Sequence, residues 1–221
     1  RKRKYYIRSS PSGVGKSRSA LGDACNLAYP KKYDKKTKQW VISGHNQKVL
    51  YITTEMEVDE LQTMVWAYLA DVNEEKILYS IYEGDEEERV EEAIKICGEY
   101  RDNFFWEHVP DPTIEGLSAR IRNQVRNNKV DHVFYDYIFS SPSLLKEMHG
   151  EGVREDVILA MLSTRLKDLA NELDVFIATS TQLNANWEDQ PKHGVRNQKL
   201  LRGQFGPVNS LSVNQRGRKC G

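Results

Sequence analysis

Ser10-Pro11-Ser12-Gly13-Val14-Gly15-Lys16-Ser17 is the stretch that decides how this chain is read. It follows a short β-branched and aromatic run, Tyr5-Tyr6-Ile7, and opens a helical pattern. That is the strand–loop–helix setting of a phosphate-binding loop. The backbone N–H groups of such a loop surround phosphate oxygens, and the helix behind it turns its positive N-terminus toward them. Ser12, Gly13, Val14, Gly15, Lys16, Ser17 and Arg18 are therefore the expected nucleotide-binding positions. Lys16 would reach the β- and γ-phosphates, and the Ser17 hydroxyl would hold Mg²⁺. The match to G-x-x-x-x-G-K-[ST] is one residue short, because Ser10 stands where the first glycine is expected. The bland alternative is an ordinary Gly/Ser turn before a helix.

Working outward, Arg18 to Tyr29 carries Leu21, Ala24, Leu27 and Ala28 at helical spacing, and Pro30 stops it. Lys31 to Lys48 is lysine-rich, with a possible hairpin over Gln39 to Asn46 around Ser43-Gly44. It reads as a solvated excursion or as a DNA-touching one. Val49 to Thr53 predicts a buried strand ending at Thr54-Glu55-Met56, followed by a helix with Val58, Leu61, Met64, Val65, Tyr68 and Leu69 on one face. Asp85 to Tyr100 predicts another helix, with Val90, Ile94 and Cys97 inward and a solvated acidic face. Asn103 to Val109 reads as a short strand. Thr113 then caps a helix striped by Ile114, Leu117, Ile121 and Val125. Val130 to Tyr135 is the next strand, ending in Asp136-Tyr137. A loop through Ser140-Ser141-Pro142-Ser143 leads to a long helix, Val153 to Leu173, and the strand Val175 to Ser180 finishes at Gln182. Asn184 to Gly206 reads as a long loop and Val208 to Val213 as a closing strand.

The alternation predicts an α/β fold: a mostly parallel central sheet with helices on both faces, three layers in all. Ligands of such sheets gather at the carboxyl ends of the strands. That rule brings Ser10–Ser17, Glu55, Asp136 and Gln182 to one edge, as a single site. Asp136 is the natural partner of Mg²⁺. Tyr137 occupies the place where a glutamate would familiarly follow it, so the general base must come from elsewhere. Glu55 is the candidate to polarise water, unless it only caps the helix behind it. Gln182 would sense the γ-phosphate, or be structural.

The bulk properties agree. A chain of 221 residues suits one large α/β domain, and 39% hydrophobic with 29% charged residues reads as globular and soluble. The formal net charge is zero, so any nucleic-acid contact must come from a local patch. No apolar run approaches a membrane span and no signal peptide is visible. Cys25, Cys97 and Cys220 are scattered, which suits neither zinc nor a disulfide framework and points to a reducing cytoplasm.

Taken together these residues resemble the RecA-type ATPase (C-terminal) domain of DnaB-like replicative helicases of bacteria and phage. The resemblance rests on the loop, on Tyr51-Ile52-Thr53-Thr54-Glu55-Met56, and on Phe134-Tyr135-Asp136-Tyr137-Ile138. It rests further on the run from Leu162 to Val175 and on Ser180-Thr181-Gln182-Leu183-Asn184. It spans about residues 5–205 of a chain read as a single RecA-like P-loop NTPase domain, 1–221. The first residues are read as giving no room for the amino-terminal domain through which such helicases meet primase, which a separate polypeptide or a longer parent chain could carry. The resemblance implies Mg-dependent ATP hydrolysis coupled to movement on single-stranded DNA, in a homohexameric ring with ATP between neighbours. A primase or a helicase loader is the implied partner. The DNA loop would be Leu201-Arg202-Gly203, with Lys199 and Arg196 adding positive charge, and Arg216 would be an arginine finger acting in trans. Asn214 stands where the family has a lysine beside that finger, and the segment between Phe205 and Leu211 is shorter than the family's. Two other readings use the same residues. One is a RecA/KaiC-like ATPase without unwinding, and the other a non-hydrolysing nucleotide-binding assembly module, against which Glu55 argues.

Overall fold

Buried apolar runs that alternate with amphipathic stretches make a parallel sheet between two helical layers. The computed structural model describes residues 3–10, 13, 15–147 and 154–182. Among them the order is β1 (Lys4–Ser10), α1 (Lys16–Ala28), β2 (Lys31–Asp34), β3 (Gln39–Ile42), β4 (Val49–Thr53), α2 (Val58–Ala70) and α3 (Glu74–Leu78). There follow α4 (Glu86–Glu99), β5 (Phe104–His108), α5 (Ile114–Asn128), β6 (His132–Asp136), α6 (Pro142–Glu147), α7 (Glu155–Glu172) and β7 (Phe176–Gln182). The sheet runs β1-β7-β6-β4-β5, and every pairing in it is parallel. The last described strand, β7, lies between the first strand and β6.

Strand alternation sorts the core onto two faces. Val49 and Tyr51 of β4, Phe134 of β6 and Ala178 of β7 pack with α1, α2 and α4. Leu50 and Ile52, Val133 and Tyr135, and Ile177 pack with α5 and α7. Strand β4 is buried along its whole length, from Val49 at 0% exposure to Thr53 at 1%. Such a run, apolar on both faces, is what a parallel sheet covered on both sides requires.

Four elements differ from the sequence expectation. The hairpin is β2–β3, with Lys31 opposite Ile42 and Asp34 opposite Gln39, so its turn is Lys35–Lys38 and not Ser43-Gly44. Asp34 makes that turn by accepting from Lys36 N at 3.0 Å and Thr37 Oγ1 at 3.1 Å. Gly44 instead passes the C-terminal end of α1, where a Cβ would fall 1.7 Å from the Tyr29 carbonyl oxygen. In α4, Arg89, Val90, Ala93 and Ile96 are buried while Ile94 is 44% exposed, so the inward stripe excludes Ile94. The helix α6 lies within the stretch expected as a loop. Ser141 accepts from Leu144 N at 3.1 Å and Pro142 sits in the first turn, a start signal that the serine run concealed. Glu147 of α6 then accepts from Ile114 N and Glu115 N at 2.6 and 3.0 Å, satisfying the open N-terminus of α5 beside Thr113. The short α3, capped by Asn73, had a similar unread signal in Asn73-Glu74-Glu75. The expected loop Asn184–Gly206 and strand Val208–Val213 lie outside the described residues.

Candidate nucleotide and metal site

The carboxyl edge of the sheet collects the end of β1 with its loop, Thr54–Met56 after β4, Asp136-Tyr137 after β6, and Gln182 at the end of β7. Register fixes them: Ser10 pairs with Gln182, and Thr53 pairs with both Asp136 and His108. Of the loop, Gly13 and Gly15 have φ of 75° and 82°, a left-handed conformation that glycine adopts without cost. A Cβ at either would meet nothing within 4 Å, so the backbone there is open to a ligand. Gly15 stands at the N-cap of α1 with no side chain capping the helix. Among the described residues no side chain caps the first N–H groups of α1, which suits them to an anion. Ser12 and Val14 lie outside the described residues. The Arg18 guanidinium makes a two-point pair with Glu74, at 3.0 and 2.8 Å.

Asp136 is 4% exposed, and its two carboxylate oxygens are separately held. Tyr51 Oη donates to Oδ2 at 3.0 Å, and Ser180 Oγ donates to Oδ1 in a short contact. The Tyr51 hydroxyl also lies 3.4 Å from the Ser17 carbonyl oxygen, tying the β6 strand end to the first turn of α1. Burial, and then the neighbouring Asp136, raise the Tyr51 phenol well above its ordinary pKa. It therefore remains a donor. Both donors are neutral hydroxyls, which bring no countercharge to the carboxylate and leave it lone-pair capacity for a cation. Sequence reasoning missed Tyr51 and Ser180. The signal was a tyrosine in a strand buried on both faces, whose hydroxyl must find a partner.

Glu55 is exposed at the neighbouring strand end, where Tyr137 Oη donates to its Oε1 at 2.9 Å. Burial, followed by the Glu55 hydrogen bond, pushes the Tyr137 phenol up to about 12, so it is protonated at neutral pH. The Lys16 ammonium lies over the Tyr137 ring, 5.1 Å from its centre. Thr54 braces this edge by donating to the Asp136 carbonyl oxygen from N at 3.0 Å and from Oγ1 at 3.2 Å. Glu55 does not cap α2 with its side chain: the N-cap is Glu57, which makes no side-chain capping bond. One edge thus gathers a lysine, a serine, a buried aspartate and an exposed glutamate near the open backbone at Gly13 and Gly15. Arg196, Lys199, Arg202, Gly203 and Arg216 lie outside the described residues, and Gln182 is described only in its backbone register.

The lysine-rich excursion is folded against the helices. Lys31 pairs with Glu92 at 2.8 Å, Lys35 with Asp71 at 3.6 Å, and Lys32 donates to Tyr68 Oη at 3.2 Å. The acidic face of α4 is accordingly engaged at Glu92, and at Glu86, which pairs with Lys76 at 2.8 Å. Among the described residues no group of His, Cys, Asp and Glu clusters as a ready-made metal cage, and no helix is long and apolar enough to cross a membrane.

Comparisons with known proteins agree with this geometry. The "SPbeta prophage-derived uncharacterized protein YorI" of Bacillus subtilis (strain 168) is 40% identical over 192 residues, which cover 86% of this chain and 38% of that protein. A "Probable plasmid replicative DNA helicase" of Chlamydia trachomatis serovar L2 is 25% identical over 186 residues, covering 84% and 36%. The chain therefore spans well under half the length of these relatives. Among solved structures, one described as an "ATPase Domain" superposes with a TM-score of 0.69 at 17% identity, over 92% of this chain and 68% of that one. "The Structure Of A DnaB-Like Replicative Helicase And Its Interactions With Primase" gives 0.66 at 17% identity, over 86% and 41%. These superpositions show a shared RecA-like fold. Residues 2–197 match the family described as "DnaB-like helicase C terminal domain", and the chain belongs to that family.

Proposed function

We propose that this chain is an ATP-hydrolysing motor domain that moves on single-stranded DNA in replication, as part of a homohexameric ring. The observation that carries the reading is the buried Asp136, locked between Tyr51 and Ser180 beside Ser17, with Glu55 two residues past the end of the next strand. A nucleotide-binding module without turnover has no use for an exposed carboxylate at that place.

The residues present fit a nucleoside triphosphate with Mg²⁺. The open backbone at Gly13 and Gly15 and the uncapped start of α1 suit phosphate oxygens. The Ser17 hydroxyl and the Asp136 carboxylate form an oxygen donor set suited to a hard cation. When bound, that cation neutralises charge on the phosphates. Lys16 adds a positive charge at the terminal phosphates. Tyr51 and Ser180 keep Asp136 from turning away. Glu55 orients a water for in-line attack and takes up its proton. Phosphoryl transfer needs little more from a protein than such positioning and charge.

The remaining roles extend this reading. Gln182 reports the γ-phosphate from the β7 strand end. Arg202 and Gly203 line the DNA path with Lys199 and Arg196, and Arg216 enters a neighbour's nucleotide site. The ring, its primase or loader partner and the single ATPase domain over residues 1–221 belong to the same proposal. Family membership and the printed description of the plasmid helicase relative support it.

The test is the ATPase rate of the chain with and without single-stranded DNA, with oligomeric state measured in parallel and a forked duplex as unwinding substrate. Stimulation by DNA with strand separation is expected. DNA-insensitive hydrolysis without unwinding would transfer the chain to the regulatory ATPase reading.

A further inference from the structure

Tyr137 follows the buried aspartate directly, and its side chain touches both halves of the proposed site. Its ring faces the Lys16 ammonium at 5.1 Å, while its hydroxyl donates to Glu55 Oε1 at 2.9 Å. Tyr137 N donates to Thr54 Oγ1 at 3.4 Å, and the same Thr54 is fastened to the Asp136 carbonyl oxygen. The Phe139 ring packs on the Tyr137 ring, with centroids 5.7 Å apart. The residue is thus held through its backbone and a tilted contact with Phe139, and two charged groups of opposite sign meet its ring and its hydroxyl.

A carboxylate as exposed as Glu55 has several rotamers open to it, and only some of them point at an attacking water. One hydrogen bond from a braced phenol selects among them, because a Tyr side chain has few rotatable bonds to lose. The ring face is negative and attracts an ammonium, but weakly beside a phosphate. Lys16 can therefore leave the ring when phosphate oxygens arrive.

We propose that Tyr137 is a positioning residue for hydrolysis: its hydroxyl orients Glu55, and its ring competes with nucleotide phosphate for Lys16. This rests on reading the edge as an ATPase site.

Two variants of the full chain separate the roles, read by ATP titration and by steady-state turnover. Tyr137→Phe keeps the ring and loses the hydroxyl. It should lower kcat about tenfold, with ATP affinity and unfolding midpoint unchanged. In a Glu55→Gln background the same substitution should leave the residual rate where it was, since the group it orients is gone. Tyr137→Leu removes the ring as well. It should show the same fall in kcat with ATP bound about two- to fivefold more tightly, the size of an exposed cation–π contact. Wild-type kcat in Tyr137→Phe would overturn the orienting role. Unchanged or weaker ATP binding in Tyr137→Leu would overturn the competition. A wild-type chain that binds no ATP would overturn the ATPase reading itself, and Tyr137's role with it. A wild type that binds and turns over ATP beside an indifferent Tyr137→Phe sinks the orienting role alone.

Discussion

Two regions of this molecule concentrate charge, and they use it in opposite ways. Around the β2–β3 excursion charges find partners nearby: Lys31 with Glu92, Lys35 with Asp71 and, at the start of α4, Arg89 with Asp85 at 3.1 Å. Arg89 is 8% exposed, donates to the Ala70 and Asp71 carbonyl oxygens and lies over the Tyr33 ring at 4.5 Å, binding hairpin and helices together. At the carboxyl edge of the sheet the pattern is reversed. Among the described residues Lys16 meets a ring and no carboxylate, and Glu55 accepts one hydrogen bond from a neutral phenol. Asp136 is held by two neutral hydroxyls and by no cation among the described residues. Charge that is locally neutralised holds elements together. Charge positioned by neutral groups remains available to a ligand.

The largest expected effect tests the second half of that contrast. Lys16→Ala should abolish ATP binding or turnover. Glu55→Gln should keep ATP binding and lower the hydrolysis rate by a factor of about 10² or more, as loss of a general base does. Near-normal hydrolysis in Glu55→Gln, measured by phosphate release, would remove it as the base. Next in size is Gly44→Ala, on the scaffold side, because its Cβ would overlap the Tyr29 backbone. It should destabilise the fold by about 2–3 kcal/mol in denaturant melts, the upper range for overpacking. ATP affinity corrected for the folded fraction should not move.

Tyr51→Phe removes one of the two hydroxyls on the Asp136 carboxylate. It should cost about 1.5–3 kcal/mol, the range for a hydrogen bond to a charged group. Part of the loss should appear as weaker Mg²⁺-dependent ATP binding, with Mg²⁺-independent binding little changed. Equal effects with and without Mg²⁺ would make Tyr51 a packing residue only. The smallest effect is Lys31→Ala, which breaks a half-exposed pair and should cost under about 1 kcal/mol. The Lys31 hydrogen bond holds the Glu92 carboxyl below its ordinary value of 4.5. Its contribution is therefore present above that pH and lost as pH falls through the lower, folded value. The difference between wild type and Lys31→Ala should shrink below about pH 4.5. If the excursion instead touched DNA, the same variant would flatten the salt dependence of single-stranded DNA binding.

Much of the fold was legible because it rests on local periodicity. Val49–Thr53 reads as a strand buried on both faces and is one, and Thr113 caps α5 by accepting from Gly116 N at 2.9 Å. Two of the errors have a common cause, a tertiary relation that no local pattern carries. Gly44 suggested a turn, but it is a glycine because another backbone passes close to it, a relation between α1 and the chain entering β4. Ile94 lay on a plausible stripe, but which helical arc faces inward depends on where α2 and the hairpin sit. The α6 start at Ser141-Pro142 was a local signal hidden in a serine run.

For the site, the loop, Glu55 and Asp136 were readable as residue types at strand ends, since a parallel sheet sends its strand ends to one edge. The sequence by itself determined those chemical groups and the layered fold that gathers them. Only the tertiary structure decided what holds them: Tyr51 and Ser180 on Asp136, and Tyr137 between Lys16 and Glu55. Those contacts depend on the β7-β6-β4 strand order and on register, which place residues distant in the chain within a hydrogen bond's length. A sequence specifies its hydroxyls, and the packing of strands selects the partner each one meets.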